Sequence, residues 1–243
     1  MKKILCLSVF IFVGKFSFSE DAQDKFKNFR LGLKIAPSIY WDSPDDSKSF
    51  TSSGVKPKFS YGAIVEYKLN KTYSIATGFE VNYASFGINF MNKTYLISSI
   101  PDTFLIKSRI YNVTYLDIPL TFKMKTPEIG YMTYFGQFGL DLSFCAKGKS
   151  NDSGILYPSI NESQETDVQV TDDLNLLKLA LNIGGGMEYN LAGGTSLLIG
   201  ANFHNGFTNI LKSESVSLKN SSYKSLTQNT TLSYLSLNLG YLF

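Results

Sequence analysis

The chain has 243 residues, 18% of them charged and 14% aromatic, with a formal net charge of +3. Lys2, Lys3 and Lys15 all fall within the first 19 residues, and residues 20–243 carry 20 basic and 20 acidic side chains and are neutral. That balance excludes the basic footprint of a nucleic-acid binder, and a cysteine inventory of Cys6 and Cys145 excludes a disulfide scaffold.

The first segment reads as an export signal. Met1-Lys2-Lys3 is a basic start, Ile4 to Val13 is an apolar run, and Ser17-Phe18-Ser19 supplies small residues at the spacing of a signal peptidase site. The expected cut comes after Ser19, with Ala22 as the alternative, so residues 1–19 are a signal peptide and 20–243 one domain. The apolar run is too short to cross a bilayer as a helix, and no later stretch is long enough to do so. Past the leader only Cys145 remains, which rules out an internal disulfide.

From Phe29 onward the chain reads as eight stripes of alternating apolar residues, the period of a strand with one apolar face. In order they are Phe29–Ile35, Phe59–Leu69, Tyr73–Tyr83, Leu116–Phe122, Met132–Phe144, Leu177–Tyr189, Leu197–Phe203 and Leu235–Phe243. No charged side chain falls on the apolar phase of any stripe. Lipid requires this, because Lys or Arg facing the bilayer midplane costs about 2–4 kcal/mol. The last stripe, Leu235, Leu237, Leu239, Tyr241 and Phe243, resembles the closing strand of bacterial outer-membrane barrels; Leu239, Tyr241 and Phe243 are read as the signal that the barrel-assembly machinery recognises.

The connections alternate in length. Asn70-Lys71, Thr126-Pro127-Glu128-Ile129 and Asn190-Leu191-Ala192-Gly193-Gly194 are short turns, whereas residues 42–56, 85–108, 147–174 and 206–228 are long. Short turns on one rim and long loops on the other predict an eight-stranded antiparallel transmembrane β-barrel in the outer membrane, surrounded by lipid and lipopolysaccharide, with both termini in the periplasm. A soluble barrel shares the alternation with its apolar face turned inward. The polar face decides between them: Gly32, Gly62, Gly78, Gly139, Gly184, Gly186, Gly200 and Gly240 lie on it, and small residues suit a cramped interior rather than a wet surface.

The same face carries Arg30, Lys34, Lys68, Lys123 and Lys178 against Glu66, Glu80, Asp117, Asp141 and Glu188. An eight-stranded barrel is only wide enough to be filled by its own side chains, so these ten are expected to pair into a plug that closes the lumen; an ion path is the alternative. Above the membrane the apolar phase changes sides. Phe86, Ile88 and Phe90 share the parity of Glu80, and Tyr111, Val113 and Tyr115 that of Asp117. Both strands change at about the same height, so their hairpin is expected to continue past the outer leaflet and to turn these six toward the barrel mouth, either as a small extracellular core capped by the Pro101-Asp102 loop or as the lining of a ligand pocket.

Catalytic chemistry finds little support. His204 is the single histidine, with Asn202-Phe203 before it and Asn205-Gly206 after it, and no serine shares its face nearby. One histidine and one mature cysteine make a zinc site of ordinary composition improbable, and no cofactor is expected. The third long segment holds Asp152, Glu162, Glu165, Asp167, Asp172 and Asp173 with no Lys or Arg between Ser150 and Leu174. It reads as a solvated loop, with binding of a divalent cation as the alternative. Gly184-Gly185-Gly186 lies inside a strand and opens no helix, so it is no phosphate loop.

Tyr115-Leu116-Asp117-Ile118-Pro119-Leu120-Thr121-Phe122-Lys123 resembles the Tyr-Leu-Glu-Ile-Pro-Leu segment of the PorT-like outer-membrane β-barrel proteins of Bacteroidetes, with Asp117 where glutamate is usual. Gly184-Gly185-Gly186-Met187-Glu188-Tyr189 and the Leu239-Gly240-Tyr241-Leu242-Phe243 ending resemble later strands of that family. The resemblance implies a non-enzymatic barrel that presents extracellular loops or serves secretion or envelope assembly beside an envelope protein partner. A narrow transport channel and an outer-membrane lipid-modifying enzyme are the alternatives. Pro119 cannot donate to a ladder, which predicts a bulge there.

Overall fold

The computed structural model describes residues 28–96, 103–157, 161–191, 194–212, 218–219, 225–226 and 228–243. The leader, residues 1–19, the Pro101-Asp102 loop, Ala192-Gly193 of the third short turn and residues 213–217, 220–224 and 227 of the fourth long segment lie outside the described residues. The described residues form twelve strands: β1 (Phe29–Pro44), β2 (Phe50–Ser52), β3 (Lys56–Lys68), β4 (Tyr73–Leu96), β5 (Thr103–Lys125), β6 (Met132–Tyr157), β7 (Asn161–Gln169), β8 (Leu177–Asn190), β9 (Ser196–Gly206), β10 (Leu218–Lys219), β11 (Ser225–Leu226) and β12 (Thr230–Leu242). Eight of them close an antiparallel ring in the order β1–β3–β4–β5–β6–β8–β9–β12 and back to β1. The seam pairs Gly32 with Leu242 at one end and Pro44 with Thr230 at the other. Phe243 completes it: its N–H donates to the Leu31 carbonyl at 2.8 Å and its carbonyl accepts from Leu31 at 3.1 Å.

The apolar stripes face outward as expected. Leu33 is 63% exposed, Phe79 50% and Leu237 48%, whereas Glu66 is fully buried on the opposite face. Rings gather at two heights. Phe29 against Tyr67 and Tyr73 against Phe122 mark the rim of the short turns; Trp41 against Phe203 and Phe59 against Tyr83 mark the other. From Phe29 to Trp41, with about 3.4 Å per residue and a tilt of about 40°, the girdles stand roughly 31 Å apart, close to the thickness of a hydrocarbon core.

The turns follow their chemistry. The Asn70 side-chain oxygen accepts from Thr72 and Tyr73 N–H, each at 2.8 Å, and closes β3 onto β4. Gly130 supplies a φ of 67° between β5 and β6. On the far rim, residues 85–108 carry the expected continuation of a hairpin past the outer leaflet, whereas residues 147–174 depart from the expected loop. β4 runs on to Leu96, β5 begins at Thr103, and β7 folds back on β6, so most of both segments is strand. Inward parity is unchanged; only the chemistry of the inward face changes, because above the bilayer the outside meets water and the apolar residues turn in. The bulges lie toward this rim, between Asn89 and Thr94 on β4, at Lys107 on β5, and at Ala146 on β6 opposite Thr114 and Tyr115. None occurs at Pro119, contrary to expectation. Its register with Asp141 is regular, and Thr77 Oγ donates to its carbonyl at 2.8 Å where the β4–β5 ladder is interrupted.

Replacing Leu237 by lysine is expected to lower the stability of the barrel in lipid vesicles by about 2–4 kcal/mol, read by urea unfolding. A loss below about 1 kcal/mol would move Leu237 out of the hydrocarbon.

Candidate functional site

The interior is layered. Nearest the short turns, Glu66 and Glu188 hold three cations between them. Arg30 donates to Glu188 at 2.7 Å and to Ser196 Oγ at 2.7 Å, and lies 3.9 Å from Glu66. Lys123 bridges both carboxylates, 3.3 Å from Glu66. Lys125 does the same, 3.0 Å from Glu188. Lys123 also sits 4.0 Å over the Phe135 ring. That ring has room because a Cβ on Gly186 would come within 2.9 Å of it.

The next layer shows why some expected pairs form and others do not. Lys34, Gly62 and Glu80 stand side by side on β1, β3 and β4. Glycine leaves the gap in which Lys34 reaches Glu80 at 2.6 Å; a Cβ there would lie 2.8 Å from Glu80 Cγ. Asp117, Ser143 and Lys178 form an equivalent row on β5, β6 and β8. Two strand spacings, about 10 Å, separate the outer two, and serine occupies the middle. Asp117 instead accepts from Asn82 Nδ2 at 2.6 Å, and Lys178 rests over the rings of Tyr115 at 4.9 Å and Tyr234 at 5.1 Å. Asp117 Oδ1, Ser143 Oγ and Lys178 Nζ, all buried, have no hydrogen-bond partner among the described residues. Among the described residues, Asp117, Lys178 and Lys68 stand outside the ion pairs expected of them.

Asp141 belongs to a closed polar ring. Asn238 Nδ2 donates to Asn202 at 3.2 Å, Asn202 to Asn182 at 2.7 Å, and Asn182 to Asp141 Oδ1 at 2.9 Å. His204 Nδ1 lies 2.5 Å from Asp141 Oδ2, and its Nε2 lies 3.0 Å from Ser236 Oγ. Along the chain no serine stands on the face of His204 nearby; the barrel delivers Ser236 from β12 instead. An acid–imidazole–hydroxyl row can polarise a nucleophile. Here Ser236 is buried, and the Tyr234 ring stacks 3.9 Å from the imidazole.

Above these layers lies an apolar core. Phe86, Ile88, Tyr111, Val113 and Tyr115 are buried together with Tyr40, Phe50, Leu174, Leu211 and Leu232, and Phe90 packs against them. Arg109 joins them with a two-pronged contact to Asp152, at 2.7 and 2.5 Å. Burial, the largest single influence, would weaken its charge, but the hydrogen bonds to Asp152 together with the charge of Asp152 and the neighbouring Tyr111 hold the guanidinium above its ordinary pKa. The acidic segment is largely matched by cations from neighbouring strands. Glu162 meets Lys107 at 3.3 Å, and Asp167 meets Lys149 at 2.7 Å, a hydrogen bond that holds its carboxyl below the usual range. Among the described residues no group of acids, histidines or cysteines is arranged to hold a metal ion.

Lys125, Phe135, Arg109, Ser236 and the three asparagines carry no mark in the sequence that singles them out. Each shares the inward parity of a residue that does, so the signal lies in phase; what the chain does not show is which strands abut at which height.

A closed ring of eight strands with a lipid-facing belt and a packed polar interior defines an integral barrel of the bacterial outer membrane. Residues 17–212 match the family described as "Outer membrane protein beta-barrel domain", and the chain belongs to that family. Among solved structures it is similar to Neisserial surface protein A, with 12% identity, 88% of this chain and 96% of that one covered and a TM-score of 0.42. It is also similar to OprG of Pseudomonas aeruginosa, with 10% identity, 88% and 95% covered and a TM-score of 0.45. The outer membrane protease OmpT of Escherichia coli aligns at 10% identity, 89% and 96% covered, with a TM-score of 0.37. A segment of 101 residues, 42% of the chain, is 31% identical to "Lysosome membrane protein 2-C" of Dictyostelium discoideum and spans 12% of that protein's length.

Glu188→Gln removes the carboxylate that Arg30, Lys123 and Lys125 share. The expected loss is about 3–5 kcal/mol of stability in micelles, measured by chemical unfolding, and larger than that of Lys34→Met at the more open Lys34–Glu80 pair.

Proposed function

We propose that this protein is a sealed, non-enzymatic outer-membrane barrel that acts through what it holds outside the bilayer, as an accessory to secretion or envelope assembly of the PorT-like kind. The observation that carries this reading is the filled interior: ion pairs, a ring of amides and then an apolar core succeed one another along the axis. A lumen so occupied favours a scaffold over a conduit. Its working surface is then the extracellular extension of β4, β5, β6 and β7, where an exported partner protein would dock. Leu239, Tyr241 and Phe243, which face outward beside the β1–β12 seam, suit capture by the assembly machinery, and lipopolysaccharide would surround the outer rim.

Planar-bilayer recording tests the seal. No steady conductance is expected from the wild-type barrel. Steady current that disappears in Lys123→Ala or Glu80→Ala would establish the channel reading instead. Deletion of the gene is expected to deplete particular secreted or surface proteins, and an unchanged profile of both would remove the accessory role.

The Asp141–His204–Ser236 row favours one second reading, a lipid-acting hydrolase. It predicts deacylation of lipopolysaccharide that is lost in His204→Ala and in Ser236→Ala alike. With Ser236 buried, no such activity is expected.

A further inference from the structure

Above the membrane the sheet ends on β7, and one edge of that strand is open. β5 occupies one side of β6 from Phe135 to Tyr157. The other side is divided: β8 pairs with β6 from Met132 to Phe144, and β7 pairs with it from Lys149 to Leu156. β7 therefore stands above β8 in one column. The next column is that of β9, which ends at Gly206 opposite Ala180. Residues 207–212 follow the link between β7 and β8, with Phe207 N–H donating to the Leu179 carbonyl at 3.2 Å and Lys212 N–H to that of Asp173 at 2.8 Å. Among the described residues none pairs with the far edge of β7. Glu162, Gln164, Glu165 and Thr166 are all exposed. At Asp167 the backbone takes a φ of 61° and its N–H donates to the Asn151 side chain at 3.1 Å, which ends the regular edge.

The two faces of this edge differ in charge. Residues opposite each other in a ladder share a face, and Glu162 stands opposite Ile155, Glu165 opposite Asp152. On the face of Glu162 the acids are matched: Lys107 meets Glu162, and Lys149 meets Asp167 with Lys147 nearby. On the face of Glu165, Arg109 is engaged by Asp152 at 2.5 Å and by Asp173 at 4.0 Å, and Lys212 donates to the Asp172 carbonyl at 3.1 Å. Glu165 meets no cation among the described residues.

An open edge is a template for a further strand, and strand addition is one way in which extended peptides are recognised. A second copy fits this edge badly. Two β7 edges would set Glu162, Glu165 and Asp167 against the same three acids, and like charges across a ladder repel. We propose that the edge of β7 from Asn161 to Glu165 binds an extended segment of an exported partner protein that places a lysine or arginine beside Glu165. Ladder hydrogen bonds supply the affinity. The Glu165 contact fixes the register, which a strand polar on both faces leaves open. The docking element so assigned rests on the accessory role proposed above.

The test titrates the full mature barrel in non-ionic micelles with the fluorescein-labelled peptide Thr-Lys-Thr-Lys-Thr-Lys-Thr. Saturable binding is expected. The same peptide methylated on alternate backbone nitrogens is expected to bind at least about tenfold more weakly, since it cannot donate to the ladder. Glu165→Gln is expected to weaken binding about fivefold, the upper end for an exposed ion pair. Asp45→Asn, which removes an acid beside the end of β1, is expected to leave it unchanged. Heat-modified gel migration reports that each variant has folded. Absence of binding, equal binding of the methylated peptide, or equal effects of Glu165→Gln and Asp45→Asn overturn the proposal. Barrel dimers in sedimentation that Glu165→Lys dissolves overturn it too, by giving the edge to a second copy. Complementation separates the edge from the role. In a deletion strain whose secreted profile the wild-type gene restores, Glu165→Lys is expected not to restore it; full restoration removes the edge and leaves the accessory role standing.

Discussion

Hydrocarbon offers no hydrogen bonds, so a chain that crosses it in strands has to satisfy every backbone N–H and C=O from within the protein. The β1–β12 seam meets that demand here. With it the sheet has no edge at membrane depth; without it the seam-facing donors and acceptors of β1 and β12 would face lipid unpaired. The remaining features derive from closure. Strand number sets the bore, the bore forces the inward side chains together, and the outward phase is left with apolar groups and rings.

Inside so narrow a bore, charge survives only where geometry compensates it. Glu66 and Glu188 are each buried against several cations, an arrangement that offsets a desolvation cost of several kcal/mol per ion. Glycine has a defined part in this. Lys34 reaches Glu80 across Gly62, whereas Ser143 stands between Asp117 and Lys178, and each of those finds another neighbour: an asparagine amide for one, two tyrosine faces for the other. Whether two opposite charges on the same level meet depends on the residue between them.

Much of this architecture is legible in the chain. Periodicity places all eight barrel strands, their outward phase and the three short turns, because a period of two beside lipid tolerates no charge. The inward parity of Phe86, Ile88, Tyr111, Val113 and Tyr115 also marks a change of chemistry above the bilayer, and the structure buries them in one core. The same signal fails at the extracellular hairpins. Most of residues 147–154 and 161–169 is polar, so they read as loop, yet they pair because a folded strand beneath them templates the ladder. The barrel's shear is equally invisible in the sequence: it brings Ser236 to His204 and sets Lys125 beside Glu66, and neither neighbour can be found by looking along the chain.

An amide can donate and accept, so a row of asparagines has two senses in which to point. Asp141 removes that freedom, since a carboxylate only accepts. Asn182 must present its NH₂ to Asp141, which turns its oxygen toward Asn202, and Asn202 in turn fixes Asn238. One acid on β6 thereby sets the polarity of side chains on β8, β9 and β12, giving the lumen a transverse dipole that strand order transmits without any displacement of the backbone.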